Sequence, residues 1–198
     1  MRIFDIKYLL LLLLLSMGIV ACDETDEAGE FDNWVARNEA YIDSIAKVAR
    51  TNADGSWKSF LAYGLADTIK WNNNYYVYCQ VLESGDGGEN PKFNDIVKVN
   101  YRGRLIPTMS YPDGYVFDES YSGELDPDVH VAVELSLAGC VRGWTTAMCE
   151  MVQGDVWRIF VPYELGYGKN GSGAIPGYST LVFDINLVDF SNVGASVH

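Results

Sequence analysis

The sequence predicts an α+β fold, in which an antiparallel sheet of five or six strands wraps on one short helix and an N-terminal amphipathic helix precedes it. Helical periodicity runs from Phe31 to about Thr51. From Tyr75 onward, β-branched and aromatic residues alternate with polar ones and are separated by turn residues. A single short helical stretch, from Gly143 to Val152, interrupts these strands. One helix lying on an antiparallel sheet is an α+β arrangement.

Composition and charge exclude several classes of function. The 198 residues are 48% hydrophobic and 21% charged, which is typical of a folded domain rather than a disordered chain. A formal net charge of −13 repels phosphate backbones, so we exclude general nucleic-acid binding. Two histidines, His130 and His198, are too few for a His-rich metal site, and no Cys-x-x-Cys spacing occurs. We therefore expect no bound metal.

Residues 1–21 resemble an export signal, because a positively charged start is followed by an unbroken run of leucines. Ile19-Val20-Ala21 ends in small residues just before Cys22 and resembles the bacterial lipobox, whose cysteine is lipidated. The alternatives are a plain secretory signal and an uncleaved membrane anchor. The apolar run is short for a membrane span, and plain cleavage needs no cysteine. We therefore expect a lipoprotein signal peptide and a membrane anchor on Cys22.

Residues 22–30 are acidic and poor in apolar side chains, so we expect them to form a solvated tether. An acidic run after a lipidated cysteine resembles a surface-export signal, whereas Asp23 directly after the cysteine resembles an inner-membrane retention signal. We expect the protein to be lipid-anchored in the outer membrane, on its periplasmic face or at the cell surface. The inner membrane is the alternative.

Residues 31–74 are predicted to form the N-terminal helix and a connector. Apolar residues recur along the helix at steps of three, four or seven, and Asn52-Ala53-Asp54-Gly55 ends it. We expect this helix to pack on its own domain, and pairing with a partner chain is the alternative. Residues 56–74 show no clear pattern. Among the cysteines at 79, 140 and 149, one disulfide is possible in an exported protein, and unpaired burial is the alternative.

The remaining strands follow from alternation and turn residues. We expect them at 75–82, 97–101, 115–117, 129–135, 157–161 and 181–188. Six motifs occur in one order across this region: Val97-Lys98-Val99-Asn100-Tyr101-Arg102-Gly103, Asp113 to Ser120, Val141-Arg142-Gly143-Trp144, Trp157 to Pro162, Leu165-Gly166-Tyr167-Gly168, and Ile175-Pro176 with Thr180 to Asp184. Each motif alone is weak, but in this order they make residues 75–190 resemble the FKBP-type peptidyl-prolyl cis-trans isomerases, the macrolide-binding immunophilin domain. Residues 191–198 would be a tail.

The resemblance implies an enzyme that accelerates rotation about Xaa-Pro bonds in exported proteins. Resonance holds a peptide bond planar, with a barrier of about 18–20 kcal/mol. No bond is made or broken, so neither a nucleophile nor a cofactor is implied. Its partners would be proline-containing polypeptides and macrolide inhibitors. The alternatives are a non-catalytic, chaperone-like module that binds proline-containing segments and a structural lipoprotein that uses the fold as a scaffold.

The motif match also implies roles for particular residues. The catalytic residues would be Asp118, Tyr101 and Tyr167. Asp118 and Tyr101 would orient the substrate carbonyl, and the Tyr167 hydroxyl would hold the substrate backbone. The substrate-binding residues would be Trp144 as the floor, Phe117 and Phe183 as walls, Val141 through its N–H, and Ile175 at the entrance. Without the ordered motifs, the aromatic residues among them would be interpreted as ordinary core.

Two departures from the family pattern concern the pocket. Val131 stands where the family usually has an aromatic residue, so we expect one thinner wall. The hairpin at 105–114 is longer than usual, and the loop at 169–177 is about one residue short. Both loops are expected to border the pocket and to influence which substrates it accepts.

Overall fold

The computed structural model describes residues 29–126 and 129–191. The predicted signal peptide, Cys22, most of the acidic tether and the tail lie outside the described residues. The chain divides into a first unit that ends at Asp32 and a second that begins with Asn33. Of the first unit, residues 29–32 are described, and there the Gly29 N–H donates to Asp32 Oδ2 at 2.8 Å. All other structural statements concern the second unit.

The second unit contains seven strands and two α-helices in its described part. The helices are α1 (Trp34–Thr51) and α2 (Arg142–Met148). The strands are β1 (Trp57–Leu61), β2 (Tyr76–Glu83), β3 (Ile96–Arg104), β4 (Val116–Glu119), β5 (Val133–Ser136), β6 (Val156–Val161) and β7 (Leu181–Ser191). Short 3₁₀ turns occur at Asn73–Tyr75, Leu137–Gly139 and Tyr163–Leu165.

All strand pairs are antiparallel, and the sheet order is β1-β2-β6-β7-β3-β4, with β5 also paired to β3. The two short strands share one edge of β3: β5 pairs with Ile96–Val99, and β4 pairs with Arg102–Arg104. This arrangement confirms the predicted α+β class and its antiparallel sheet. It has seven strands, where we expected five or six.

Strand β1 accounts for the additional strand. It lies at the edge of the sheet, paired only with β2, and its residues are mostly half-buried or exposed. Its two aromatic side chains pack on opposite faces, where Trp57 stacks on Phe160 and Phe60 stacks on Trp157, with ring centroids 5.5 and 6.2 Å apart. An edge strand of five residues with a polar middle carries little alternation, which is why its sequence showed no clear pattern.

The strand predicted at 129–135 is wrong in its first half. Strand β5 begins only at Val133, and the side chains of Val129 and Val131 are 71% and 85% exposed. Alternating valines form a strand only where a neighbouring strand offers hydrogen bonds. On this edge of β3, only residues 133–136 of the described chain pair with Ile96–Val99, and β4 pairs with the edge farther along.

One face of the sheet carries the main core and helix α2. Alternate residues of the central strands, such as Val99, Ile159 and Ile185, are fully buried there. Helix α2 packs on this face through Trp144 and Met148. A Cβ on the glycine at 143 would lie 2.5 Å from Val161 Cγ1. Only glycine therefore lets the helix approach strand β6 this closely.

Helix α1 packs on the opposite face. Ile42 and Ala46, four residues apart, are buried against Tyr78, Phe160 and Val182. The structure therefore confirms that this helix packs on its own domain. It begins at Trp34 rather than at residue 31.

Charged side chains on the α1 face pair with one another. Asp184 Oδ1 accepts a hydrogen bond from Arg158 Nε at 2.6 Å, and Asp184 Oδ2 accepts one from Arg104 at 2.8 Å. Burial alone would raise the pKa of Asp184. The hydrogen bonds and charges of the two arginines outweigh that effect and hold the pKa below its ordinary value.

The cysteines at 79, 140 and 149 are all free, so the described residues contain no disulfide. Cys79 is fully buried, and burial raises the pKa of its thiol well above the ordinary value. It therefore acts as a small hydrophobic residue, as one of our two alternatives predicted. None of the helices formed by residues 29–126 and 129–191 has the length and apolar character needed to cross a membrane.

Replacing Asp184 tests this ion-pair network. Asp184→Asn should lower the free energy of unfolding by about 2 kcal/mol at neutral pH, because two partly buried arginines lose their carboxylate. Since the folded-state pKa lies below the unfolded one, this stabilisation is complete above the unfolded pKa and is lost as the pH falls through the folded pKa. Urea unfolding of both proteins at neutral pH and in steps below about pH 4 checks this. A stability difference that stays constant with pH would contradict the argument.

Candidate active site

A cavity of about 210 Å³ opens beside the start of helix α2. Strands β3, β4, β5 and β7 each contribute one residue, and the others come from the segment that leads into α2, from α2 itself and from the segment after β6. Its lining residues are Tyr101, Asp118, Leu135, Gly139, Cys140, Val141, Trp144, Tyr167 and Phe183. We call residues 166–180, which carry Tyr167 and lead into β7, the rim loop.

Aromatic rings pack edge to face around this cavity. Trp144 is 3% exposed, and its ring lies edge-on to Tyr101 and Phe183, with centroids 6.2 and 6.5 Å away. Phe117 lies against Phe183 at 5.6 Å and 90°. Such T-shaped contacts place the positive edge of one ring on the negative face of the next. A Cβ at Gly103 would stand 2.7 Å from ring carbons of both phenylalanines, so glycine at this position allows the two rings to meet.

A β-bulge directs two neighbouring residues of β4 towards the same region. Gly103 pairs with Asp118 and Arg104 pairs with Val116, which leaves Phe117 as the extra residue. Simple alternation would send Phe117 and Asp118 to opposite faces. The bulge re-aims them, so that Phe117 packs against Phe183 while Asp118 lines the cavity.

The polar groups lie at the mouth of the cavity. Tyr101 Oη donates a hydrogen bond to Asp118 Oδ2 at 2.7 Å. Burial, and secondly this hydrogen bond, raise the pKa of Tyr101 above its ordinary value. The phenol therefore keeps its proton and remains the donor at neutral pH. Tyr167 is 42% exposed, so its hydroxyl-bearing ring stands where an entering ligand would pass.

The start of helix α2 borders the same cavity through Val141 and Trp144. Val141 is the N-cap residue, in an extended conformation, and its carbonyl accepts from the Thr145 N–H at 3.1 Å. The N–H of an N-cap residue lies outside the helical hydrogen bonds. The next residue, Arg142, donates through Nε to the Tyr63 carbonyl at 3.0 Å and lies over the Tyr63 ring. These contacts hold the first turn of α2 in place.

The structure brings six of the eight predicted site residues together around one cavity: Tyr101, Asp118, Val141, Trp144, Tyr167 and Phe183. Phe117 is not among the lining residues and packs edge-on against Phe183. Ile175, within the rim loop, is 8% exposed and packs with the core cluster, and it is not among the residues that line the cavity. The catalytic and binding roles of all eight residues remain predictions.

Two expectations about the pocket surroundings are wrong. Val131 forms no wall, because it is exposed and lies ahead of β5, and Leu135 lines the cavity from that strand instead. The hairpin at 105–114 lines a different cavity, of about 640 Å³, on the α1 face of the sheet. None of the eight predicted site residues lines this second cavity, and its arginines are engaged in ion pairs with Glu119 and Asp184.

Sequence reasoning missed three lining residues: Leu135, Gly139 and Cys140. Cys140 directly precedes Val141, so its place beside the motif was an available signal. For Leu135, the alternation of β5 indicated a buried face without indicating which cavity it would line. Within residues 29–126 and 129–191, no cluster of three or more histidine, cysteine or acidic side chains could hold a metal ion.

Comparison with known proteins places this geometry in a family. The model of the FKBP-type peptidyl-prolyl cis-trans isomerase family matches residues 87–188. The chain is 41% identical over 122 residues to the FKBP-type isomerase FkpA of Escherichia coli, which covers 61% of the chain and 40% of that protein. It is 34% identical over 157 residues to a probable FKBP-type isomerase of Haemophilus influenzae, which covers 78% of the chain and 58% of that protein. The chain thus spans between two fifths and three fifths of these relatives.

Solved structures agree with this assignment. A peptidyl-prolyl cis-trans isomerase from Pseudomonas syringae superposes with a TM-score of 0.57 at 26% identity, covering 82% of this chain and 96% of that one. The crystal structure of E. coli FkpA gives a TM-score of 0.57 at 30% identity, covering 96% of this chain and 74% of that one. Together with the family match over more than half of its residues, these likenesses show that the chain belongs to the FKBP-type peptidyl-prolyl cis-trans isomerase family.

Proposed function

We propose that this protein is a peptidyl-prolyl cis-trans isomerase that acts on proline-containing polypeptides. The observation that carries the proposal is the aromatic cavity of Trp144, Phe183 and Tyr101, with the Tyr101–Asp118 hydrogen bond at its mouth. Such a cavity can bury an apolar ring of a ligand at its floor while an adjacent polar group of the ligand meets the hydrogen-bonding groups at the rim. A prolyl residue, with its apolar ring and flanking carbonyls, has this combination of features.

The cavity suits a single ring. At about 210 Å³ it is smaller than the roughly 300–1,000 Å³ usual for sites that enclose drug-sized ligands. A macrolide would therefore place one group inside and spread the rest over the rim. Macrolide binding stays a prediction, and the rim loop and Leu135 are the parts of the surface that such a ligand would contact.

Rotation of an Xaa-Pro bond needs no covalent chemistry, only a lower barrier. The planar amide is the more polar ground state, and rotation breaks its resonance. Enclosure by Trp144 and Phe183 removes water from the planar form. The Tyr101–Asp118 pair and the Val141 N–H can meet the substrate backbone in its twisted form, and interactions that are stronger in the transition state lower the barrier. Lowering it by about 8 kcal/mol gives roughly a million-fold acceleration.

We further propose that the protein is a lipoprotein anchored in the cell envelope through Cys22, in the outer membrane rather than the inner one. The support is the apolar run that ends in Ile19-Val20-Ala21-Cys22 and the acidic residues that follow. A tether of this kind would let the folded part reach exported chains near the membrane surface.

The double variant Asp118→Ala, Tyr167→Phe tests the isomerase. We expect kcat/KM for short Xaa-Pro peptides to fall about 100-fold, because the Asp118 carboxylate and the Tyr167 hydroxyl are lost while the aromatic floor remains. Cis-to-trans exchange of the peptides, measured with varied Xaa, provides the readout. The matched control is Asp113→Ala, Tyr111→Phe, the same two substitutions at exposed residues of the hairpin. Equal rates in the two double variants would refute these roles, and peptide binding by a wild type without turnover would favour the non-catalytic binding module.

Alkylation of Cys140 tests whether the cavity is the binding site. A reagent attached to this lining thiol should block peptide turnover, and a bound proline peptide should protect the thiol. Burial raises the pKa of the Cys140 thiol to about 11, so the labelling rate should rise about tenfold for each pH unit between pH 7 and 10. Cys149→Ala, which removes a half-buried thiol outside the cavity, should be inhibited equally. Full turnover after stoichiometric labelling of Cys140 would contradict this placement.

Replacement of Cys22 tests the anchor. In a bacterial host, Cys22→Ser should abolish incorporation of labelled fatty acid. Cys149→Ala serves as the control for loss of a thiol and should still incorporate the label. A Cys22→Ser protein that remains lipid-labelled would refute the proposed anchor.

A further inference from the structure

Helix α1 is hydrogen-bonded to the end of the rim loop. Trp34 Nε1 donates to Ser179 Oγ at 3.0 Å, and the Thr180 N–H donates to Asn38 Oδ1 at 2.7 Å. All four residues are buried, with Asn38 and Thr180 each 1% exposed. Hydrogen bonds closed off from water hold their groups more firmly than exposed ones. These two contacts therefore fix the point at which the loop enters strand β7.

Both polar atoms of the Asn38 side-chain amide make hydrogen bonds at this position. Its Nδ2 donates to the Trp34 carbonyl at 2.8 Å, while its Oδ1 accepts from Thr180. Ser179 in turn donates to the Pro176 carbonyl at 2.7 Å. An apolar residue at position 38 would bury as well but would leave the Thr180 N–H without an acceptor. A polar group on the buried face of α1 thus selects one docking position for the loop.

The loop needs such support, because its backbone is strained beside these contacts. Tyr178 has a φ of +62°, in the left-handed region that side chains other than glycine seldom adopt. Its N–H donates to the Gly168 carbonyl at 2.9 Å, and its ring lies 5.1 Å from that of Tyr163. A strained residue keeps its conformation only when its surroundings hold it. Gly168 directly follows Tyr167. The hydrogen bond from Tyr178 to Gly168 therefore links the end of the loop that α1 holds to the residue at the cavity mouth.

We propose that Trp34 and Asn38 are positioning residues that hold the rim loop and thereby set where Tyr167 stands at the cavity. Neither residue lines the cavity, so each acts through the loop. Both precede residues 87–188, which the family model matches, so helix α1, outside that match, contributes to the site. The kinetic consequence rests on the isomerase function proposed above, whereas the ordering of the loop does not.

Two variants of α1 and one control test the proposal on the full chain. Asn38→Ala removes the acceptor of Thr180, and Trp34→Phe removes the donor to Ser179 while keeping an aromatic ring. The control, Ile42→Ala, truncates a fully buried side chain of the same helix that packs on the sheet and not on the rim loop. The readouts are kcat and KM for Xaa-Pro peptides, amide hydrogen exchange at residues 178 and 180, and urea unfolding to match the folded fractions.

We expect Asn38→Ala to lower kcat/KM about tenfold and to speed exchange at residues 178 and 180, because a misplaced rim group loses its alignment with the substrate. Trp34→Phe should shift both readouts in the same direction by a smaller factor. Ile42→Ala should destabilise the fold yet leave kcat/KM within about twofold and the loop exchange near wild type, once the folded fractions are matched.

Two results would overturn the proposal. The first is wild-type kinetics and loop exchange in both Asn38→Ala and Trp34→Phe. The second is a loss of kcat/KM in Ile42→Ala equal to the loss in Asn38→Ala. A wild-type protein without turnover would instead refute the proposed isomerase. Loop exchange then decides the inference on its own, because exchange that is faster in Asn38→Ala than in Ile42→Ala supports the holding role, and equal exchange refutes it.

Discussion

The packing of Trp144 on the sheet is the interaction on which both the core and the candidate site depend. Its side chain is almost fully buried, closes the core beneath α2 and forms the aromatic surface of the cavity. Burial of a side chain this large contributes on the order of 3 kcal/mol. It requires the helix to lie directly on the strands, and the glycine at 143 makes that approach possible. Stability and the proposed binding surface are thus provided by the same ring.

The sheet separates two environments that serve different purposes. The α2 face holds the apolar core and opens into the aromatic cavity, whereas the α1 face holds a second cluster and the Arg158–Asp184–Arg104 ion pairs. Helix α1 and strand β1 complete this architecture from the N-terminal side. Contacts from both ends of that N-terminal segment reach the site: Asn38 meets the rim loop, and Tyr63 meets the first turn of α2.

Much of the fold could be predicted because its signals are local. The period of α1, the strands β2, β3, β6 and β7, and the short helix followed from alternation, helical spacing and turn residues. Strand β1 was missed because five residues at a sheet edge carry little pattern. The strand predicted from Val129 started too early because alternation reports a tendency of the chain, while a strand exists only where a partner strand is present.

In the candidate site, too, some residues could be predicted from local motifs and others could not. Ordered motifs identified Tyr101, Asp118, Val141, Trp144, Tyr167 and Phe183, which the fold brings to one cavity. Cys140 and Leu135 line the cavity because of their neighbours in space, and Ile175 packs with the core cluster for the same reason. Sequence spacing cannot show such placements, because they depend on how separate strands meet.

The amino-acid sequence by itself determined the α+β class, the family motifs, the acidic charge and the amphipathic face of α1, since each is a property of residue type and of spacing along one segment. Only the tertiary structure decided the seventh strand, the bulge that re-aims Phe117 and Asp118, the face on which the 105–114 hairpin lies, and the contact of Asn38 with Thr180. Each of these joins residues far apart in the chain. Their positions follow from close packing and hydrogen-bond geometry between elements, which no local pattern encodes.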